Sequence, residues 1–192
     1  MGKNELYESK KRIQENWILP LIVMAILIIL LRYFIFTPVV VEGNSMMSTL
    51  QDGDRMVANK IGYKLNGLER FDISVFKHKD GMNYIKRIIG LPGDYVEYKN
   101  DQLYINGKKY SEVYLDSQKK ELARGELLTD DFNIKTLPST FSKVVPEGHY
   151  FVLGDNRRGS KDSRDIGFIS ADNIIGKANV VFWPMNEIKI VK

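Results

Sequence analysis

Ser45, in VEGNSMMSTL, and Lys86, in NYIKRIIGLPGD, are the residues whose surroundings best suit nucleophilic chemistry. A serine hydroxyl is a poor nucleophile near neutral pH and needs a base within hydrogen-bond reach, plus donors for the oxyanion formed on attack. By itself a serine in a Gly-Asn-Ser turn is an ordinary turn residue. Its neighbours raise its standing: Gly43 allows a substrate backbone to come close, and Met46 and Leu50 offer an apolar wall beside the hydroxyl. Lys86 stands in an apolar strand, where a surface lysine is out of place. An unperturbed lysine, with a pKa of about 10.4, is neutral in fewer than about one molecule per thousand at pH 7, so a lysine base requires desolvation. Ile85, Ile88 and Ile89 are placed to supply it. The bland alternative puts Lys86 or Arg87 on the water-facing side of the strand.

Histidine is the commoner base, but the chain has only two, His78 in a solvated KHKD loop and His149 after PEG at the mouth of a strand. A Ser-His-Asp reading therefore ranks below a Ser-Lys one. The absence of cysteine excludes disulfides, thiolate zinc sites and a thiol nucleophile, and no metal or cofactor is expected. A third polar constellation, GDNRRGSKDSR from Gly154 to Arg164, reads as an irregular loop held by its own carboxylate–arginine pairs. It fails the spacing of a calcium loop and places Arg157 and Arg158 where ligands would be wanted.

The elements that must position these residues are mostly strands. VVVEG, RMVANKI, DISVFK, YIKRIIG, DYVEYK, QLYING, KYSEVYL, HYFVLG and NVVFWP are short alternating or β-branched runs separated by turn residues. Asn106-Gly107 predicts a two-residue type I′ hairpin, and Pro92-Gly93 a second turn. Gln118 to Ser142 is more polar and less regular, part of an insertion placed at about residues 100–145. Trp17 to Phe36, by contrast, is an apolar run of about the 20 residues that a membrane span needs, with no polar residue before Arg32. It exceeds the 7–15 apolar residues of a secretory signal, and TPVVVEGN after it has no A-x-A pair, so it reads as an uncleaved anchor. Lys3, Lys10, Lys11 and Arg12 precede it. The positive-inside rule then leaves residues 1–15 in the cytoplasm, 16–36 in the membrane and 37–192 outside. Ser45 follows Phe36 by nine residues, so even an extended chain holds it within about 30–32 Å of the span. The net charge of +4 is scattered, which suits a membrane surface and gives no support to nucleic acid.

Taken together, SMMSTL, KRIIGLPGD and GDNRRGSKDSR resemble, in order, the three segments that mark the bacterial type I signal peptidases. The resemblance runs from the anchor to Trp183. It implies a mainly β domain of two antiparallel coiled sheets with an inserted subdomain, following an N-terminal transmembrane helix. It implies a serine endopeptidase with a Ser45–Lys86 dyad that cuts signal peptides from exported preproteins at the outer face of the bacterial cytoplasmic membrane. Ser160 would hydrogen-bond the base, Asp162 and Arg164 would pair to hold the loop, and the Ser45 N–H would give one oxyanion donor. The position of a second donor in some members is Gly43 here. Val41, Met46, Leu50 and Ile85 would surround a pocket for the small residue before the cut, with another small residue at the third position. Ser48 stands where the family usually has proline, which takes stiffness from the turn after Ser45. Two other readings compete: a self-cleaving Ser-Lys repressor, which would need an N-terminal DNA-binding helix pair, and a non-catalytic anchored β domain with Lys86 solvated.

Overall fold

The structure, a computed structural model, describes residues 17–30 and 35–191. The expected cytoplasmic tail and parts of the expected anchor, residues 16 and 31–34, lie outside the described residues. The chain divides into two units, Met1–Phe36 and Thr37–Lys192. In the first, residues 17–30 form a helix, α1, with exposed side chains. Among the described residues no helix is long and apolar enough to cross a membrane.

The second unit is built on two sheets. The larger holds β1 (Phe36–Val40), β2 (Arg55–Asn59), β3 (Ile73–Lys77), β4 (Asn83–Gly90), β9 (His149–Leu153), β10 (Ile169–Ser170), β11 (Ile174–Trp183) and β12 (Lys189–Ile190). Its order is β1-β2-β11-β3-β4-β9-β10, with β12 also on β11. The smaller sheet, β7-β6-β5-β8, holds β5 (Val96–Lys99), β6 (Gln102–Ile105), β7 (Lys108–Tyr110) and β8 (Phe132–Asn133). The pairings within β2–β12 are antiparallel. Among the described residues three short α-helices, α2 (Gly62–Asn66), α3 (Asp116–Glu121) and α4 (Ser163–Ile166), and three 3-10 turns complete it.

The β reading follows from alternation, and the hairpin from its turn. Asn106 and Gly107 both take positive φ, 52° and 77°, as a type I′ turn demands, and Leu103, Tyr104 and Ile105 pair with Tyr110, Lys109 and Lys108 across it. Two corrections to the sequence reading emerge. KYSEVYL is a strand only to Tyr110; Val113–Leu115 is a 3-10 turn leading into α3, because Glu112 and Tyr114 turn into a buried polar network rather than along a ladder. The last long strand begins at Ile174, five residues before NVVFWP; Gly176 and Lys177 hide its start, and bulges break its register. The smaller sheet begins at Val96.

Two apolar clusters bear on the site. Val41, Met46, Leu50, Met56, Ile73, Val75 and Ile85 pack where β1–β4 and β11 meet. Ile89, Val96, Tyr98, Leu103, Ile105, Phe151 and Leu153 join the two sheets. Burial of such side chains contributes about 1.5–3 kcal/mol each, which makes both clusters firm supports for the loops above them.

Candidate active site

Ser45 lies in the turn between β1 and β2. The turn is shaped by Met47 N–H donating to Asn44 O (3.1 Å) and by Thr49 and Leu50 N–H donating to Met46 O (3.0 and 2.9 Å). Val41 N–H donates to Asp54 O and Gly53 N–H to Val41 O, closing its base. Gly43, at φ +82°, donates its N–H to Asp52 Oδ1 (2.7 Å), so that donor is already engaged. The Ser45 N–H enters no hydrogen bond among the described residues.

Lys86 projects from β4, where it pairs with Ser74 of β3. Its Nζ lies 2.6 Å from Ser45 Oγ, although 41 residues separate them. The lysine is only 3% exposed. Burial pulls its pKa down from 10.5 to about 8, against the opposing pull of Asp162 and Asp155. At pH 7 roughly a tenth of such lysines are neutral, some hundreds of times more than for an unperturbed group. The water-facing alternative for Lys86 is therefore not what the fold adopts. Neither histidine bonds Ser45: His78 packs on Tyr84, and His149 Nδ1 lies 2.9 Å from Glu147 O. No cluster of three or more His, Asp and Glu residues suited to a metal occurs among the described residues.

The Gly154–Arg164 loop brackets the pair. Asp162 is fully buried and accepts from Gly154 N–H (3.0 Å) and from Arg164 Nε and Nη2 (both 2.8 Å), while it also caps α4. Asn156 grips the serine turn, its N–H donating to Ser45 O and its Nδ2 to Asn44 O, each at 3.1 Å. Ser160 Oγ is buried with no hydrogen-bond partner among the described residues, so the bond to Lys86 that the resemblance implies is not made in this arrangement. Gly154 is tightly enclosed: a Cβ there would lie 2.1 Å from Ser160 Oγ and 2.5 Å from the Ser45 carbonyl.

A cleft of about 850 Å³ opens beside the pair, lined by residues 37–46 on one side and by 82–86, Gly159 and Lys161 on the other. Val41, Met46 and Ile85 line it; Leu50 does not, being fully buried in the cluster behind them. β1 is the terminal strand of its sheet, and residues 83–86 of β4 lie beyond the stretch that β9 pairs. Two strand edges thus border one apolar cleft, an arrangement that accepts an extended peptide by β-addition.

Sequence reasoning missed the supports. Arg87 forms a buried ion pair with Asp155, Nη2–Oδ2 2.7 Å and Nε–Oδ1 2.9 Å, and its guanidinium stacks on Tyr114 at 3.9 Å. Arg157 is buried with Glu112, Tyr98 and Tyr114. The sequence held half of the signal: a second cation in an apolar strand needs a buried carboxylate, but nothing local singles out Asp155, 68 residues on, as its partner.

The profile of the family described as signal peptidase, peptidase S26, matches residues 14–183. A signal peptidase IB of Staphylococcus aureus (strain COL) is 47% identical over 182 residues, covering 94% of both chains. A signal peptidase I of Bacillus caldolyticus is 43% identical over 180 residues, covering 94% of this chain and 96% of its own. A crystal structure of a signal peptidase I from Enterococcus faecalis V583 is 50% identical with a TM-score of 0.56, covering 57% of this chain and 95% of that one.

Proposed function

Since the chain belongs to the peptidase S26 signal peptidases, and is thus a serine endopeptidase acting on preproteins that carry signal peptides, we propose that Ser45 and Lys86 carry the reaction as nucleophile and base. The observation that supports this most is the 2.6 Å approach of a buried lysine amine to the Ser45 hydroxyl.

The neutral Lys86 amine accepts the hydroxyl proton as Ser45 Oγ attacks the scissile carbonyl. The free Ser45 N–H is the first donor to the oxyanion. As the C–N bond breaks, the lysine returns the proton to the departing amine, leaving the signal peptide esterified to Ser45. Water then attacks the ester, passes its proton to Lys86 and releases the signal peptide as a carboxylic acid with the serine restored. Buried Asp162 and Asp155 lie near enough to oppose the depression of the lysine pKa, keeping it near 8 rather than lower. Ser160, a buried hydroxyl in want of a partner, would orient the amine when substrate tightens the site, while Asp162 and Arg164 hold the loop.

The substrate lies extended in the cleft, adding a strand along β1 and the free part of β4. The walls given by Val41, Met46 and Ile85 suit small side chains at the first and third positions before the cut. The apolar run at 16–36 would anchor the chain once across a bacterial cytoplasmic membrane, with 1–15 cytoplasmic and 37–192 extracytoplasmic. Exposed Trp183, Met185, Ile188 and Ile190 at the end of the catalytic unit favour contact with lipid. The test is cleavage of a signal-peptide substrate by the full chain in detergent: Ser45→Ala and Lys86→Ala should each abolish turnover. Near-normal turnover by Lys86→Ala would overturn the dyad.

A further inference from the structure

Ser48 is the position at which SMMSTL departs from the pattern that the rest of the segment matches, and its backbone does not suit the usual residue. It takes φ +80°, whereas proline is locked near −65°. The stiffness a proline would give the turn must come from elsewhere. A side chain of α3 reaches this turn. Gln118 of α3 directs its Nε2 at Ser48 Oγ (2.8 Å) and at the Asp155 carbonyl (3.0 Å), with the Met47 carbonyl at 3.4 Å. Both carbonyls can only accept, which fixes the amide nitrogen on this side. Ser48 Oγ has the Tyr114 carbonyl at 3.4 Å for its own proton. One amide group therefore joins the turn after Ser45 to the residue that pairs with Arg87, the neighbour of Lys86. Asn156 holds the other end of the same turn through Asn44 O and Ser45 O.

We propose that Ser48 and Gln118 are positioning residues: a clasp by which the inserted subdomain fixes the nucleophile turn against the strand bearing the base, in place of proline. This rests on the Ser45–Lys86 reading. A hydroxyl 2.6 Å from its base is sensitive to small displacements, and holding reactants in register is a large share of what an active site contributes. Neither clasp residue reaches the substrate cleft, so its loss should slow the chemical step and leave binding alone.

The experiment compares kcat, KM and the pH-rate profile of the full chain in detergent, on a signal-peptide substrate, for wild type, Ser48→Gly, Gln118→Ala, their double variant, Ser48→Pro and Ser45→Ala. Ser48→Gly accommodates the positive φ and removes the hydroxymethyl group that Gln118 holds, so it carries the test even if Gln118→Ala melts below assay temperature. Each single variant should lose about tenfold in kcat, the scale of one hydrogen bond. The double should lose no more than the worse single, with KM and the pH limb unchanged. Ser48→Pro should lose more than either. Single-variant rates within about twofold of wild type, losses that multiply in the double, or losses that appear in KM would each overturn the clasp. Full activity in Ser45→Ala would instead overturn the dyad, and the clasp with it.

Discussion

Arg87 and Asp155 form an ion pair with both side chains fully buried, and Arg87 directly follows Lys86 in β4. Two oxygens meet two nitrogens at 2.7 and 2.9 Å, Thr49 Oγ1 adds a bond to Asp155 Oδ2 at 2.5 Å, and Arg87 Nη1 reaches Phe71 O at 2.7 Å. The pair ties β4 to the loop that also grips the serine turn. Asp155→Ala leaves a buried guanidinium without its counter-ion, and such losses cost about 3–5 kcal/mol. Urea titration should show that loss in unfolding free energy; a loss under 1 kcal/mol would mean that Arg87 finds water or another acceptor.

Gly154 touches both the Ser45 carbonyl and Ser160 Oγ in the space a Cβ would need. Gly154→Ala must push the serine turn away from Lys86, and a displacement of about 1 Å is enough to cost about a hundredfold in rate. Steady-state cleavage by the purified variant checks this, with normal turnover contradicting the enclosure.

The cleft walls make a substrate prediction. With Ala before the cut replaced by Leu, the wild type should slow by at least about a hundredfold, since a bulky group meets Val41, Met46 and Ile85. Ile85→Ala should narrow that gap by about tenfold, read as the ratio of kcat/KM on paired substrates. An unchanged ratio would place the pocket elsewhere.

Lys86 also makes a stability prediction. Its folded pKa of about 8 lies below the unfolded value near 10.5, so the folded state holds fewer protons between those limits. Stability should therefore rise with pH across that window, and below about pH 8 the cost of burying the charge is fully present. Lys86→Met removes the cost, on the order of 3 kcal/mol for a shift of this size. The variant should be more stable than wild type at pH 7 and approach it near pH 10.5; an advantage that does not shrink with pH would mean packing, not charge, is responsible.

The residues of this site stand in three short segments, SMMSTL, KRIIGLPGD and GDNRRGSKDSR, whose ordered resemblance to one family suggested that they work together although 41 residues separate Ser45 from Lys86. Ser45, Lys86, Asp162 and Arg164 stand in segments whose composition sets them apart, and alternation with turn residues marks the strand that carries Lys86 and the strands that flank the turn of Ser45. The anchor reading rests on the apolar run, its basic flank and the absence of an A-x-A pair, and falls partly on residues outside those described. What escaped is non-local or too short. The pairing of Arg87 with Asp155 spans 68 residues, and the hold of Gln118 on Ser48 spans 70. α3 and α4, at six and four residues, are too short to show a helical period. Leu50 shows the limit of reading a wall from spacing: near Ser45 in sequence, it faces the core rather than the cleft.

The most direct test of the dyad is the wild-type pH-rate profile, on a signal-peptide substrate under subsaturating conditions. If neutral Lys86 is the base, kcat/KM rises about tenfold per pH unit from pH 6 and levels off above about 8, where burial has placed the amine. A profile flat from pH 6 to 9 would show that no lysine titrates in the rate-limiting step, and would contradict the assignment of Lys86 as the base.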